Sequence, residues 1–185
     1  MFLPIVAYGD PVLRKMGVEI DKDYPGLAKL IDDMFETMEK SKGVGLAAPQ
    51  VGKAIRLFVI DSTKMYDEEE EHKGVREVFI NAEIIQETGS EWAYEEGCLS
   101  IPGIREDVSR KPTLRIRYYD KNWKEQEKEF DDMNARVIQH EYDHIEGKLF
   151  IDHIKPLRRS LLKSKLEKIS KGDVDVSYRM KFPKK

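Results

Sequence analysis

Two histidines stand four residues apart in the stretch QHEYDHIEG, residues 139–147. On a helix, His140 and His144 are offset by only about 40° and roughly 6 Å along the axis, so both imidazoles can converge on one ion. Glu141 is turned roughly 100° away. It need not ligate, and is free to accept a proton from water activated by the ion, as such a glutamate does in metalloproteases. The plain alternative is a surface helix with two exposed histidines. A catalytic ion needs a third protein ligand and an open position. The extended pattern HExxHxxGxxH is met at Gly147, but its third His position is Phe150. Of the later glutamates, Glu146 is too close on the same helix and Glu167 lies in a basic segment. The remaining soft donor is Cys98, in EEGCLSIPG, which is either a core thiol or the third ligand. Thiolate with imidazole suits Zn²⁺ or Fe²⁺.

A second stretch, GVGLAAPQ at residues 43–50, superficially matches G-x-G-x-x-A. A dinucleotide site needs that fingerprint after a strand and opening a helix, whereas here it follows a helix and precedes a strand. No nucleotide cofactor is expected. Small residues there let backbone approach a ligand, and the Gln50 amide can donate to an oxygen; a plain turn is the alternative.

Several elements must position these groups. Leu27, Leu30, Ile31, Met34 and Met38 have helical spacing, with Asp23 before Pro25 as a start and Gly43 as a stop, which predicts a helix over about 25–42. Residues 55–61 and 77–85 read as strands, and 113–120 with 125–130 as a hairpin. Trp92 and Tyr94 alternate on a further strand and read as core. Between the first two strands YDEEEEHKG reads as a solvated, mobile loop. Asp131 or Asp132 can cap the histidine helix and Gly147 can end it. Pro156 can open a last helix that Gly172 ends. Strands and helices do not alternate regularly, which favours α+β.

The length, 185 residues, suits a single domain, expected over 1–171 and including the basic helix 156–171. Whether the basic tail 172–185 is ordered stays open. One cysteine excludes an internal disulfide. The apolar start is broken by Pro4 and ends at Asp10 without a basic leader, and no apolar run could span a bilayer, so a cytoplasmic protein without membrane contact is expected. From Lys155 onward 11 Lys and Arg face three acids, a charge of +8, while residues 1–154 carry −11. The basic segment is a candidate for contact with something anionic.

Taken together, Gly43-Val44-Gly45-Leu46-Ala47-Ala48-Pro49-Gln50, Glu96-Gly97-Cys98-Leu99-Ser100 and Gln139-His140-Glu141-Tyr142-Asp143-His144 resemble the three motifs of the peptide deformylase family, in the family's order. The resemblance covers roughly residues 3–160. Ile145, where the family usually has leucine, departs conservatively, and the acidic loop 67–71 looks like an insertion. The resemblance implies an α+β fold of mainly antiparallel strands around a central helix carrying the HExxH motif, with a C-terminal helix. It implies removal of the N-formyl group from N-formylmethionyl nascent polypeptides, with release of formate. Cys98, His140 and His144 would hold one divalent ion, usually Fe²⁺, with Zn²⁺, Ni²⁺ or Co²⁺ able to substitute. Glu141 would act as general base then acid, and the Gln50 amide and Leu99 N–H would stabilise the developing oxyanion. Gly43, Val44, Gly45, Leu46 and Arg105 would meet the substrate; Arg136 would sit at the rim or be a solvated helix charge. The basic helix would meet ribosomal RNA, or else be a solvated face with Leu161, Leu162, Leu166 and Ile169 packed inward. No DNA partner is implied. The rival classes are a metalloprotease, which lacks a sensible third ligand here, and a non-catalytic metal-binding protein, which would need neither Glu141 nor Gln50.

Overall fold

The computed structural model describes residues 1–183. In chain order the elements are β1 (Ile5–Val6), α1 (Leu27–Lys40), β2 (Gly45–Ala47), β3 (Leu57–Asp61), β4 (Arg76–Thr88), β5 (Trp92–Cys98), β6 (Ile101–Arg110), β7 (Thr113–Tyr119), β8 (Glu125–Asp131), α2 (Asp132–Ile145), α3 (Pro156–Leu161), α4 (Lys163–Ser170) and β9 (Met180–Lys181). The apolar residues that predict the first helix form the buried face of α1. That helix starts at Leu27, later than the Asp23 signal, behind Gly26 at φ 72°. Its end is closed by Lys42 in the left-handed region, with Gly43 N–H donating to the Met38 carbonyl at 2.9 Å. This is the Schellman pattern, so the left-handed position falls one residue before the expected glycine.

Five strands form an antiparallel sheet in the order β2-β3-β4-β7-β8, and β5 and β6 form a separate antiparallel hairpin. The α+β expectation and the 113–130 hairpin are both met. Phe58 and Phe79, cross-strand partners, stack with centroids 4.6 Å apart inside the sheet's covered face. α2 lies on β2, β3, β7 and β8. Its Ala135, Ile138 and Ile145 are fully buried, and each large aliphatic side chain so placed contributes about 1.5–3 kcal/mol. The side chain of Asp131, the N-cap of α2, makes no capping hydrogen bond. Gly147 ends the helix at φ 70°, and a Cβ there would lie 2.6 Å from the Arg14 carbonyl oxygen, so glycine is required.

Three stretches show detail that the sequence did not carry. The acidic loop is exposed over Asp67–Lys73, as expected, but carries a 3₁₀ turn at Glu71–Lys73, follows another at Thr63–Met65, and is tied to α2 by the Asn134 amide donating to the Lys73 carbonyl at 2.8 Å. The basic helix is two helices, α3 and α4, meeting at Leu162. Leu162, Leu166 and Ile169, at i, i+4 and i+7, are buried, whereas Leu161 falls outside that face and is 67% exposed. The segment after Gly172 returns to the body of the protein, where β9 pairs with β1 in parallel; Lys184 and Lys185 of the expected tail lie outside the described residues. Among the described residues no helix is long and apolar enough to cross a membrane.

Candidate metal centre and active site

Strand β5 delivers Cys98 at its last residue, and α2 delivers His140, Glu141 and His144 from its last two turns. One donor atom each from Cys98, His140 and His144 lies within 4.8 Å of the others, and the Cys98 Sγ to His144 Nε2 distance is 3.4 Å. The ring of His140 is oriented through its other nitrogen: Nδ1 is 2.9 Å from Glu96 Oε2, which leaves Nε2 for an ion. Burial, reinforced by the charge on His140, holds His144 down to about 3, so its imidazole is neutral and able to ligate.

Glu96 is the centre of a buried charge cluster. It receives Arg110 Nε at 2.7 Å and Arg136 Nη1 at 3.1 Å, and Arg110 also reaches Asp143 at 2.9 Å. Against burial, which acts to raise it, hydrogen bonds from His140 and Arg110 hold the Glu96 carboxyl well below the usual carboxylate range. Arg136 lines the cleft and is not a solvated charge. It is buried, with its guanidinium donating to the Val108 and Trp92 carbonyls and lying 4.4 Å from the Trp92 ring centre. Tyr94, read as core, is 38% exposed.

Glu141 is buried, and its Oε2 has no hydrogen-bond partner among the described residues. Burial pushes its carboxyl up to about 7, with the charge of His140 acting in the opposite sense. An unpaired buried carboxylate is costly unless something polar arrives to use it. Its seat is made by Gly45, since a Cβ there would lie 2.4 Å from Glu141 Oε1. Gly45→Ala is accordingly expected to displace the carboxylate and cut turnover by at least tenfold with the ligands intact, measurable as kcat against bound metal; full activity would disprove that role for the glycine.

Gln50 is buried in the 3₁₀ turn after β2, and the turn orients its amide. The side-chain oxygen accepts from Ala47 N–H at 2.8 Å, so the NH₂ end faces the Cys98 sulfur at 3.4 Å and Ser100 Oγ at 3.3 Å. A cleft of about 660 Å³ opens over these groups and is lined by Gly43, Val44, Gly45, Gln50, Cys98, Leu99, Arg105, His140 and Glu141. Arg105 is at its exposed edge, paired with Glu95 at 2.8 Å. The exception among the expected substrate residues is Leu46, which is fully buried in the core cluster with Met38 and Leu57 and does not line the cleft. On β2 its side chain takes the face opposite Gly45.

Residues 2–160 match the family described as polypeptide deformylase. The chain is 61% identical to the peptide deformylase of Cytophaga hutchinsonii, over 99% of this chain and 98% of that one. It is 54% identical to that of Christiangramia forsetii, over 99% and 97%. This chain belongs to the polypeptide deformylase family. Among solved structures, a peptide deformylase from Legionella pneumophila aligns with a TM-score of 0.80 at 37% identity, covering 94% of this chain and 98% of that one. A deformylase from Synechococcus elongatus in complex with actinonin aligns at 0.77 and 36% identity, covering 90% and 85%. Polypeptide deformylases are metal-dependent hydrolases of protein biosynthesis that remove the N-formyl group from nascent polypeptides. The residues present fit that requirement: one cysteine sulfur and two imidazoles converge, one imidazole is held by a carboxylate from behind, and an unpartnered buried carboxylate stands beside them.

Sequence reading missed Glu96 as a working residue, although a signal was present: Glu96 and Cys98 are two apart on a strand and so share a face. Arg110 and Tyr178 carried no comparable signal. The Tyr178 hydroxyl donates to the Leu99 carbonyl at 2.7 Å from a position 79 residues later in the chain.

Proposed function

We propose that the cleft deformylates N-formylmethionyl peptides as follows, on the single observation that a three-donor ligand set, a buried free carboxylate and an oriented amide converge on it. Cys98, His140 and His144 hold one divalent ion. When bound, that ion acts as a Lewis acid, bringing the pKa of water at the site towards neutrality. Glu141 takes the proton as the water oxygen adds to the formyl carbon. The carbonyl oxygen gains the negative charge, and the Gln50 Nε2–H and Leu99 backbone N–H donate to it. Glu141 then delivers its proton to the amine nitrogen, the C–N bond breaks, and formate and a free α-amine result. Val44 and the apolar wall beside Cys98 take the methionine side chain, with Gly43 and Gly45 letting the substrate backbone approach and Arg105 at the entrance. Residues 1–171 act as one catalytic domain.

The reading is tested by formate release from a formylmethionyl peptide with protein purified without oxygen and loaded with Fe²⁺. Rapid release is expected; none from metal-loaded protein would remove the reading. Gln50→Ala is expected to keep its metal and lose about 10²-fold or more in kcat. Metal loss together with activity would instead make Gln50 a structural support. Fe²⁺ is the ion assigned in the cell, with Zn²⁺, Ni²⁺ and Co²⁺ as substitutes. A ferrous ion beside a thiolate makes oxygen sensitivity a further mark of the site, since oxidising Cys98 removes a ligand.

Substrates of this kind are made in the cytoplasm, which is the compartment we assign. Contact between α3–α4 and ribosomal RNA is supported by Lys163, Lys165 and Lys168, which make no ion pair among the described residues. Arg158, Arg159 and Lys171, by contrast, are paired to Glu106, Asp152 and Glu167. Binding to ribosomes should weaken as salt rises.

A further inference from the structure

The loop after β5 carries Cys98 and Leu99, and the two carbonyls following the cysteine are both held from outside the loop. The Tyr178 hydroxyl donates to the Leu99 carbonyl at 2.7 Å, and the Tyr8 N–H donates to the Ser100 carbonyl at 2.8 Å. The two donors lie far apart in sequence, yet their segments are joined. Ile5 pairs with Met180 and Val6 with Lys181, through Ile5 N–H to the Arg179 carbonyl and Ala7 N–H to the Lys181 carbonyl, each 2.9 Å. The segment leading into β9 is also part of the cleft, because Asp175, Val176, Ser177 and Tyr178 line it together with Gln50 and Glu141. Residues 175–178 lie beyond residue 160, where the match to the family model ends, within the stretch still covered by the Cytophaga hutchinsonii relative.

We propose that Tyr178 is a positioning residue for deformylation: by holding the Leu99 carbonyl, it anchors the peptide group after Leu99 and so limits the rotation at the Leu99 Cα that aims the Leu99 N–H, in the preceding peptide group, at the oxyanion. This rests on the proposed reading, in which that N–H is a donor. A donor lowers the barrier only when it is already 2.7–3.1 Å from where the charged oxygen will be, so a freely turning Leu99 would forfeit part of its effect. The hydrogen bond reaches a main-chain atom and not a side chain, so no change in the identity of Leu99 could replace it. The flanking carbonyl of Ser100 is held independently by Tyr8, which keeps the loop in place when the phenol is lost and confines the effect to Leu99.

The test is Tyr178→Phe in the full metal-loaded chain, a change that keeps the ring and its packing on the core cluster. Losing one neutral hydrogen bond should lower kcat by about 3- to 10-fold. KM for a short formylmethionyl peptide and the bound metal should stay unchanged, while the Leu99 amide exchanges its hydrogen faster. An unchanged kcat with unchanged exchange overturns the proposal. So does a rise in KM alone, which would make Tyr178 a peptide contact, and so does loss of metal, which would make the clamp serve Cys98. Failure of the wild-type chain to release formate would instead remove the deformylase reading, and the exchange comparison would still report whether Tyr178 holds Leu99.

Discussion

Glu141→Gln is expected to lower formate release by about 10²–10⁴-fold while the protein keeps its bound metal, the range a positioned general base and acid supplies. The substitution is chosen for shape. Glutamine fills the same buried seat beside Gly45, so the α2 backbone and both histidine ligands keep their places. It removes only the ability to take a proton from water and return it to the amine. Glu141→Ala should lose as much or more, since it also opens a void between α2 and β2. Metal content by elemental analysis and kcat measured on the same sample decide the matter. Residual activity within tenfold of wild type would deny Glu141 the proton transfer, and a matching loss of metal would move it to the ligand set.

Glu96→Ala is expected to weaken the whole assembly. Arg110, Arg136 and His140 all converge on this carboxylate, and the side chains of both arginines are at most 6% exposed. Removing one partner of such a cluster leaves uncompensated buried charge, a cost of about 3–5 kcal/mol. The same change frees His140 Nδ1 and so loosens a ligand, which should weaken metal binding about 10- to 100-fold. Chemical denaturation would read the first effect and competition against a chelator the second. Glu96→Gln, which keeps an acceptor oxygen but not the charge, should fall between. A Glu96→Ala protein with wild-type stability and metal affinity would mean the cluster is dispensable.

The ligand-bearing helix was legible because four-residue spacing is a local property of helices, and so were the β7–β8 hairpin and the buried stripe of α1. The positions that misled are those settled by contacts distant in sequence. Leu46 sits in a motif that approaches ligand, yet strand alternation sends its side chain to the core. Arg136 resembles a surface charge until Glu96, delivered by another strand, is brought against it. The break at Leu162 depends on which leucines find a buried face, and Leu161 finds none. Cys98 as a ligand could be suspected from chemistry alone, but the joining of β5 to α2 that places it is a matter of tertiary fold.

The pairing of Val6 with Lys181 also bears on the order in which the protein assembles. A contact between positions so far apart costs chain entropy before it gives anything back, and synthesis delivers residue 6 long before residue 181. Cys98, His140 and His144 have all been made by then, and β2–β4, β7, β8 and α2 can pack as they appear. A chain whose last strand has not yet paired can thus gather its three ligands while the loop bearing Leu99 is still untethered. Maturation of the site would then be a step of biosynthesis distinct from folding of the core, completed when the last strand threads back beside the first.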